Sequence, residues 1–235
     1  MRIKILISLL LFFLIQPVSL LARTNNVDYL QSITCFIDSY GASGGGVFIV
    51  KTNRDIFILS AFHVVENSKE NSIFKDVKVQ ILTYQDDIKV GLIESDAQIV
   101  RFDKEDDLVL LKLKQKNFTT NSVKFFNGEC KNIRVGEFVC HAGNFWGMFG
   151  ANSYTEGILS HKGRIIDKKL YWQTDCQVIS GSSGAGIFNS NGELIGILTM
   201  KRESSGYFIP IFRIKEWAKE QKCEFIFTDS CDYSM

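Results

Sequence analysis

YWQTDCQVISGSSGAGIFNSNGELIGI, residues 171–197, carries the clearest architectural signal in the chain. The apolar run Leu170–Thr174 leads into a Gly/Ser segment, Ser180-Gly181-Ser182-Ser183-Gly184, and two more apolar runs follow, Gly186–Asn189 and Leu194–Met200. Short runs of this kind, bounded by turn residues, read as strands. Asn191-Gly192 separates the last two runs, and this dipeptide favours a tight hairpin turn because both residues tolerate positive φ. Glycines on both sides of Ser183 permit a sharp turn that exposes its hydroxyl. Such a turn can also aim backbone N–H groups at a developing negative charge. The strand directly after the segment argues against a floppy linker.

The same pattern extends outward. Ser32–Asp38, Gly46–Val50, Ile56–Ser60, Val77–Thr83, Leu108–Leu113, Phe138–Ala142, Gly157–Ser160 and Gly206–Pro210 are further strand runs, and Asn127-Gly128 and Lys162-Gly163 mark turns. So many short strands make the chain all-β, as a sandwich or as barrels. One helix stands out at 212–221, where Ile214, Trp217, Ala218 and Gln221 recur at helical spacing after Pro210. The polar segment Lys114–Ser122 is the best place for a boundary between two lobes. With 235 residues, 46% of them hydrophobic and a net charge of +1, the chain can bury a substantial core and gives no reason to expect nucleic acid as a partner.

Two other short segments complete a chemical set. His63 follows an apolar strand in Ser60-Ala61-Phe62-His63-Val64-Val65, and an imidazole can take and return a proton near neutral pH. Asp107 opens the apolar strand Leu108-Val109-Leu110-Leu111, where a carboxylate can accept Nδ1–H of a histidine and stabilise the imidazolium. Asp103 and Asp106 compete for that role. The order His63, Asp107, Ser183 is the chymotrypsin order, unlike the orders of α/β-hydrolases or subtilisins. Separations of 44 and 76 residues put the base and acid in the first half and the nucleophile in the second, which suits a cleft between two β-lobes.

At this point the sequence resembles the chymotrypsin-fold serine proteases of the HtrA type. "GGGVFIV" with "ILSAFHVV", "DDLVLLKL", "IRVGEFVCHAGNFWG", "EGILSHKGR", the stretch from Tyr171 to Ile197 and "GYFIPI" carry the resemblance, over about residues 32–215. It implies a two-lobed double β-barrel with a short C-terminal helix. The N-terminal barrel would cover about 23–117, the C-terminal barrel about 123–211 and the helix about 212–221. It also implies serine endopeptidase activity on a protein or peptide substrate, with Ser183 as nucleophile, His63 as general base and acid, and Asp107 orienting His63. The N–H groups of Gly181 and Ser183 would form the oxyanion hole. Val178, Leu198, Thr199 and Met200 would line the pocket for the residue before the cleaved bond, a non-acidic pocket suited to small aliphatic side chains. Ser182 stands where the family commonly has Asn, and Ala185 where it has Gly. The resemblance allows a second reading, a catalytically silent binding module on the protease fold.

Residues 1–22 hold 16 apolar residues and two charges, Arg2 and Lys4, ending at the small Ala22. This is the pattern of a signal peptide, making 23–235 the exported domain; an uncleaved segment 5–22 would instead be a membrane anchor. Cleavage would leave 25 basic and 26 acidic residues, a net charge of −1. No stable membrane association is expected once the signal is removed. Only about 14 residues follow the C-terminal helix, so regulation by a PDZ domain is not expected, and the oligomeric state is open. All six cysteines, Cys35, Cys130, Cys140, Cys176, Cys223 and Cys231, lie beyond residue 22 and permit up to three disulfides, with Cys223–Cys231 the first pair to test. Their spacing is not zinc-like, and no metal or cofactor is expected. His141, in an apolar strand, and His161, in a turn, read as structural or solvated.

Overall fold

The computed structural model describes residues 26–228 except 40, 68, 71, 75–76, 86–87 and 147–148. The signal segment and Cys231 lie outside the described residues. A helix over 26–32, α1, leads into the first lobe. There β1 (Thr34–Asp38), β2 (Ser43–Val50) and β3 (Ile56–Ala61) are followed by a small hairpin of β4 (Glu66–Asn67) and β5 (Ser72–Ile73). The long β6 (Val77–Gln85) and β7 (Ile88–Asp103), then β8 (Leu108–Leu113), complete the lobe. Six of these strands close into a barrel in the order β1-β2-β3-β8-β7-β6.

The second lobe contains β9 (Lys124–Phe125), β10 (Phe138–Phe145), β11 (Gly150–Ile166), β12 (Lys169–Thr174), β13 (Gly186–Asn189), β14 (Glu193–Arg202) and β15 (Ser205–Pro210). Its order is β13-β10-β11-β12-β15-β14-β9, and pairing of β13 with β14 closes six of the strands into a ring. The fold is therefore a two-lobed, chymotrypsin-like double barrel. Helix α2 (Ile211–Glu220) follows β15, within one residue of the sequence expectation, and a 3-10 turn at Glu224–Phe227 comes after it.

Three cores explain why certain strands are apolar without alternation. Phe48, Ile58, Val109 and Leu111 point into the first barrel. Their neighbours Val47, Ile49, Phe57, Leu59, Leu108 and Leu110 point the other way, into a core shared with Cys140, Ala142, Phe188 and Ile197 of the second lobe and roofed by Ile214 and Trp217 of α2. Side chains alternate across a strand, so a strand between two cores must be apolar on both faces. The interior of the second barrel is a third cluster around Trp172, Ile187, Ile195 and Phe208.

One local expectation is corrected. Lys162-Gly163 is not a turn; it lies inside β11, where the register with β12 shifts between His161 and Arg164. The reversal falls instead at Asp167-Lys168, whose φ values of 50° and 67° match a two-residue hairpin turn of type I′. The Lys162 ammonium donates to the carbonyls of Cys130 and Ile133, both at 2.6 Å, and sits over the Trp172 ring, which holds that stretch of β11 in place. No disulfide joins any two of the described cysteines Cys35, Cys130, Cys140, Cys176 and Cys223. Burial pushes the Cys140 thiol up to about 12 and the Cys176 thiol up to about 11, which keeps both protonated and unreactive.

Candidate active site

The first half of the site follows from one strand register. Ala61, the last residue of β3, pairs with Leu108, the first of β8. The residues just beyond, Phe62-His63 and Asp107, must therefore meet at the same end of the barrel. Phe62 N–H donates to the Asp107 carbonyl at 3.1 Å, and the 3-10 turn Phe62–Val64 brings His63 round to face the carboxylate. The His63 backbone N–H donates to Asp107 Oδ1 at 3.0 Å, and ring Nδ1 lies 2.9 Å from Oδ2 and 3.0 Å from Oδ1. Asp107 itself sits at φ 53°, a left-handed conformation that aspartate tolerates better than most residues.

Asp103 and Asp106 have other work. Asp103 Oδ1 accepts the N–H groups of Glu105 and Asp106, shaping the turn into β8, and Asp106 pairs with Arg213 of α2 at 3.0 Å. Only Asp107 of the three meets His63. Burial works against a charged His63, but the hydrogen bond and negative charge of Asp107, helped by Glu66, outweigh it and hold its pKa above the usual imidazole value.

Ser183 comes from the second lobe on the loop between Val178 and Ala185. Ser182 N–H closes a turn onto the Ile179 carbonyl at 3.0 Å, and Ala185 N–H one onto the Ser182 carbonyl at 3.2 Å. Gly181 and Gly184 take φ of 95° and 86°. A Cβ at 184 would stand 2.2 Å from Ser60 Oγ and 2.3 Å from the Gly45 carbonyl, so only glycine fits there. The loop is stitched to both lobes: Gly45 N–H of β2 donates to the Ser183 carbonyl, and Gly184 N–H donates to the Leu198 carbonyl of β14, both at 2.7 Å. The Ala185 methyl takes the space left by two glycines: a Cβ would reach it at 2.9 Å from Gly45 and 2.5 Å from Gly143. The Ser182 hydroxyl is buried against the Asn144 carbonyl and Ile179 N–H.

The Ser183 hydroxyl donates to the Thr199 carbonyl at 3.4 Å, a long bond, and not to His63. The Ser180 carbonyl accepts the Trp146 N–H at 2.7 Å. Because the peptide is trans, the N–H of Gly181 points the opposite way. Neither Gly181 N–H nor Ser183 N–H reaches a described backbone carbonyl.

Val178 and Leu198 are buried and converge on Gly206 of β15. A Cβ at 206 would stand 3.1 Å from Val178 Cγ2, 3.1 Å from Leu198 Cδ1 and 3.2 Å from Thr174 Cγ2. The Thr174 hydroxyl is occupied by the Ile158 carbonyl and Cys176 N–H, and its methyl packs with Val178 and Leu198 over Gly206. Met200 is half-buried opposite Tyr207, and the Thr199 carbonyl accepts the Ser183 hydroxyl. Thr174 and Gly206, which pack with Val178 and Leu198 here, carry no signal of that packing in the sequence. Each lies on a strand remote from Ser183 in sequence, and only the β12–β15–β14 pairing gathers them. Neither of the other histidines meets the His63–Asp107 pair: His161 Nδ1 accepts Gly163 N–H, and His141 is fully buried in β10.

Residues 44–197 match the model of the trypsin-like peptidase domain. The chain belongs to the trypsin-like peptidase family. Within it the chain is HtrA-like: it is 30% identical over 200 residues to a serine protease HtrA-like from Staphylococcus haemolyticus, covering 78% of this chain and 29% of that protein. It is 38% identical over 119 residues to a probable periplasmic serine endoprotease DegP-like from Pseudomonas putida, covering 49% of this chain and 24% of that protein. A serine protease Do-like HtrA from Bacillus subtilis is 28% identical over 199 residues, covering 78% of this chain and 40% of that protein. This peptidase chain thus spans roughly a quarter to two-fifths of the length of those relatives. Its fold is similar to that in the crystal structure of Deg5, with a TM-score of 0.67 over 83% of this chain and 91% of that one at 24% identity.

Proposed function

We propose that this peptidase is an exported serine endopeptidase that cleaves peptide bonds through His63, Asp107 and Ser183. The observation that carries the reading is the His63–Asp107 pair, in contact at 2.9 and 3.0 Å, at the cleft where the Ser183 loop bonds to both lobes. Ser183 Oγ attacks the scissile carbonyl carbon as His63 Nε2 takes its proton. Asp107 holds Nδ1–H and stabilises the imidazolium. The N–H groups of Gly181 and Ser183 bind the oxyanion. His63 then gives the proton to the leaving amine, which departs and leaves an acyl-enzyme. Water, deprotonated by His63, attacks that ester; Ser183 leaves with the proton, and the site is restored.

The pocket for the residue before the cleaved bond, read as lined by Val178, Leu198, Thr199 and Met200, is apolar in character and suits a small aliphatic side chain. It presents no acidic group to an Arg or Lys. Substrates on this reading are proteins or peptides. Export rests on the sequence pattern of residues 1–22 and on the periplasmic designation of the DegP-like relatives. Among the described residues no helix is long and apolar enough to cross a membrane.

A fluorophosphonate probe is expected to label the protein at Ser183 and not to label Ser183→Ala. A folded wild-type protein that resists labelling would count against the reading. The Ser183 hydroxyl resting on Thr199 rather than His63 favours a second reading, a binding module without turnover; partner binding equal in wild type and Ser183→Ala, with no labelling, would support it.

A further inference from the structure

His141 takes no part in the chemistry above, yet it lies against the loop that performs it. It stands in β10 opposite Thr155 of β11 and Ile187 of β13, fully buried, and neither ring nitrogen meets a hydrogen-bond partner. Native interiors rarely keep a buried donor and acceptor unmatched. The ring lies parallel to that of Phe145, with centroids 5.9 Å apart and an interplanar angle of 14°. Gly143, between them on the same strand face, leaves the gap. A Cβ there would stand 2.9 Å from His141 Nε2 and 2.5 Å from Ala185 Cβ, so the bare glycine lets the imidazole reach the underside of the serine loop. Burial pushes the His141 pKa down to about 4, against an opposing pull from the Ser182 backbone. Only an acceptor, the Ser182 carbonyl, can exert such a pull. The ring is neutral near pH 7 and carries one N–H to donate.

The Ser182 carbonyl accepts one hydrogen bond, from Ala185 N–H at 3.2 Å, and keeps a second lone pair. This carbonyl and Ser183 N–H are the two ends of one planar peptide unit, so holding the oxygen sets the direction of the N–H. When that N–H donates to an oxyanion, the peptide polarises and its carbonyl becomes a better acceptor. We propose that His141 is a positioning residue: its ring N–H bonds the Ser182 carbonyl as the oxyanion forms and holds Ser183 N–H on that oxygen. The proposal rests on the reading of Ser183 as the nucleophile.

The experiment uses the full chain and begins with fluorophosphonate labelling of wild type and Ser183→Ala, which tests that underlying reading separately. His141→Phe keeps an aromatic ring on Phe145 and removes the donor, whereas His141→Gln keeps an N–H. With a peptide substrate that the wild type cleaves, His141→Phe is expected to lower kcat roughly 10- to 100-fold with KM within about twofold, less than the loss of an oxyanion donor itself. Affinity for a peptide boronic acid, which forms the tetrahedral adduct, should fall by the same factor, and His141→Gln should recover most of both. The melting temperature of His141→Phe should not fall. If that variant unfolds, the near-isosteric pair His141→Gln and His141→Met makes the same contrast. Wild-type kcat in the donor-less variant, or equal losses with and without the N–H, overturns the proposal.

Discussion

The two halves of the site are built differently. His63 and Asp107 flank one pair of bonded strands, β3 and β8, and the register Ala61↔Leu108 brings them together. Ser183 rides on a loop whose position depends on Gly45 of one lobe, Leu198 of the other, and the fit of Ala185 against Gly45 and Gly143. The half proposed to supply acid and base is therefore a local product of one sheet. The half proposed to supply the nucleophile is a product of how two lobes dock. The distances agree: His63 and Asp107 are in firm contact, while the Ser183 hydroxyl rests on Thr199. On the proposed reading, a site with one half built by sheet register and one by docking can lose turnover through either route, and the routes are separable.

The largest effect tests the docked half. Ser183→Ala is expected to lower kcat by about 10⁶-fold with the melting temperature unchanged, since the hydroxyl makes only one long bond. Peptide or ester turnover measures it. Next comes the sheet-built half: Asp107→Asn should cost about 10⁴-fold in kcat. It should also move the acid limb of the pH–rate profile to lower pH. In the wild type, Asp107 raises the His63 pKa against burial, and protonated His63 cannot accept the Ser183 proton. Removing the carboxylate leaves burial, which lowers the pKa. An acid limb that stays in place would separate His63 from Asp107.

Gly184→Ala attacks the junction of the halves. Its Cβ would collide with Ser60 Oγ and the Gly45 carbonyl at a positive φ, so a stability loss of about 2–4 kcal/mol is expected in denaturant unfolding, together with a loss of labelling at Ser183. The smallest effect lies away from both halves. Leu92→Ser, on the outer face of β7 where Leu92 is 46% exposed, should change stability by less than about 0.5 kcal/mol and leave kcat unaltered. A large effect there would mean that the hairpin of β6 and β7 communicates with the site.

The strands around the site were readable because they are apolar on both faces. VFIV, FILSA and LVLLKL announce themselves, and the two cores on either side of them are the reason. β7 was not readable. Over residues 91–103 it mixes exposed polar residues (Glu94, Asp96, Gln98, Arg101) with exposed apolar ones (Leu92, Ile93, Phe102) without clean alternation, and it gains order from cross-strand partners such as Lys78 and Gln80 on Glu94, contacts invisible in a local window. The short helix 26–32 was missed for a related reason: its Tyr29 hydroxyl is anchored by the Ser122 carbonyl and Lys124 N–H, far along the chain. Lys162-Gly163 misled because a glycine inside a strand marks a bulge as readily as a turn. Among the site residues, the sequence order of His63, Asp107 and Ser183 pointed to their set. Thr174 and Gly206 had no local signal, because their packing against Val178 and Leu198 arises only through the strands beside them.

Sequence by itself determined the run of strands that makes this chain all-β, the glycine-flanked serine and the three residue types at chymotrypsin order. These follow from side-chain periodicity and backbone freedom, which are local properties. Tertiary structure alone decided which of Asp103, Asp106 and Asp107 faces His63, where the Ser183 hydroxyl rests, and that His141 is fully buried in β10. Each depends on strand register and on the docking of two barrels, and those are set by packing between residues far apart in the chain.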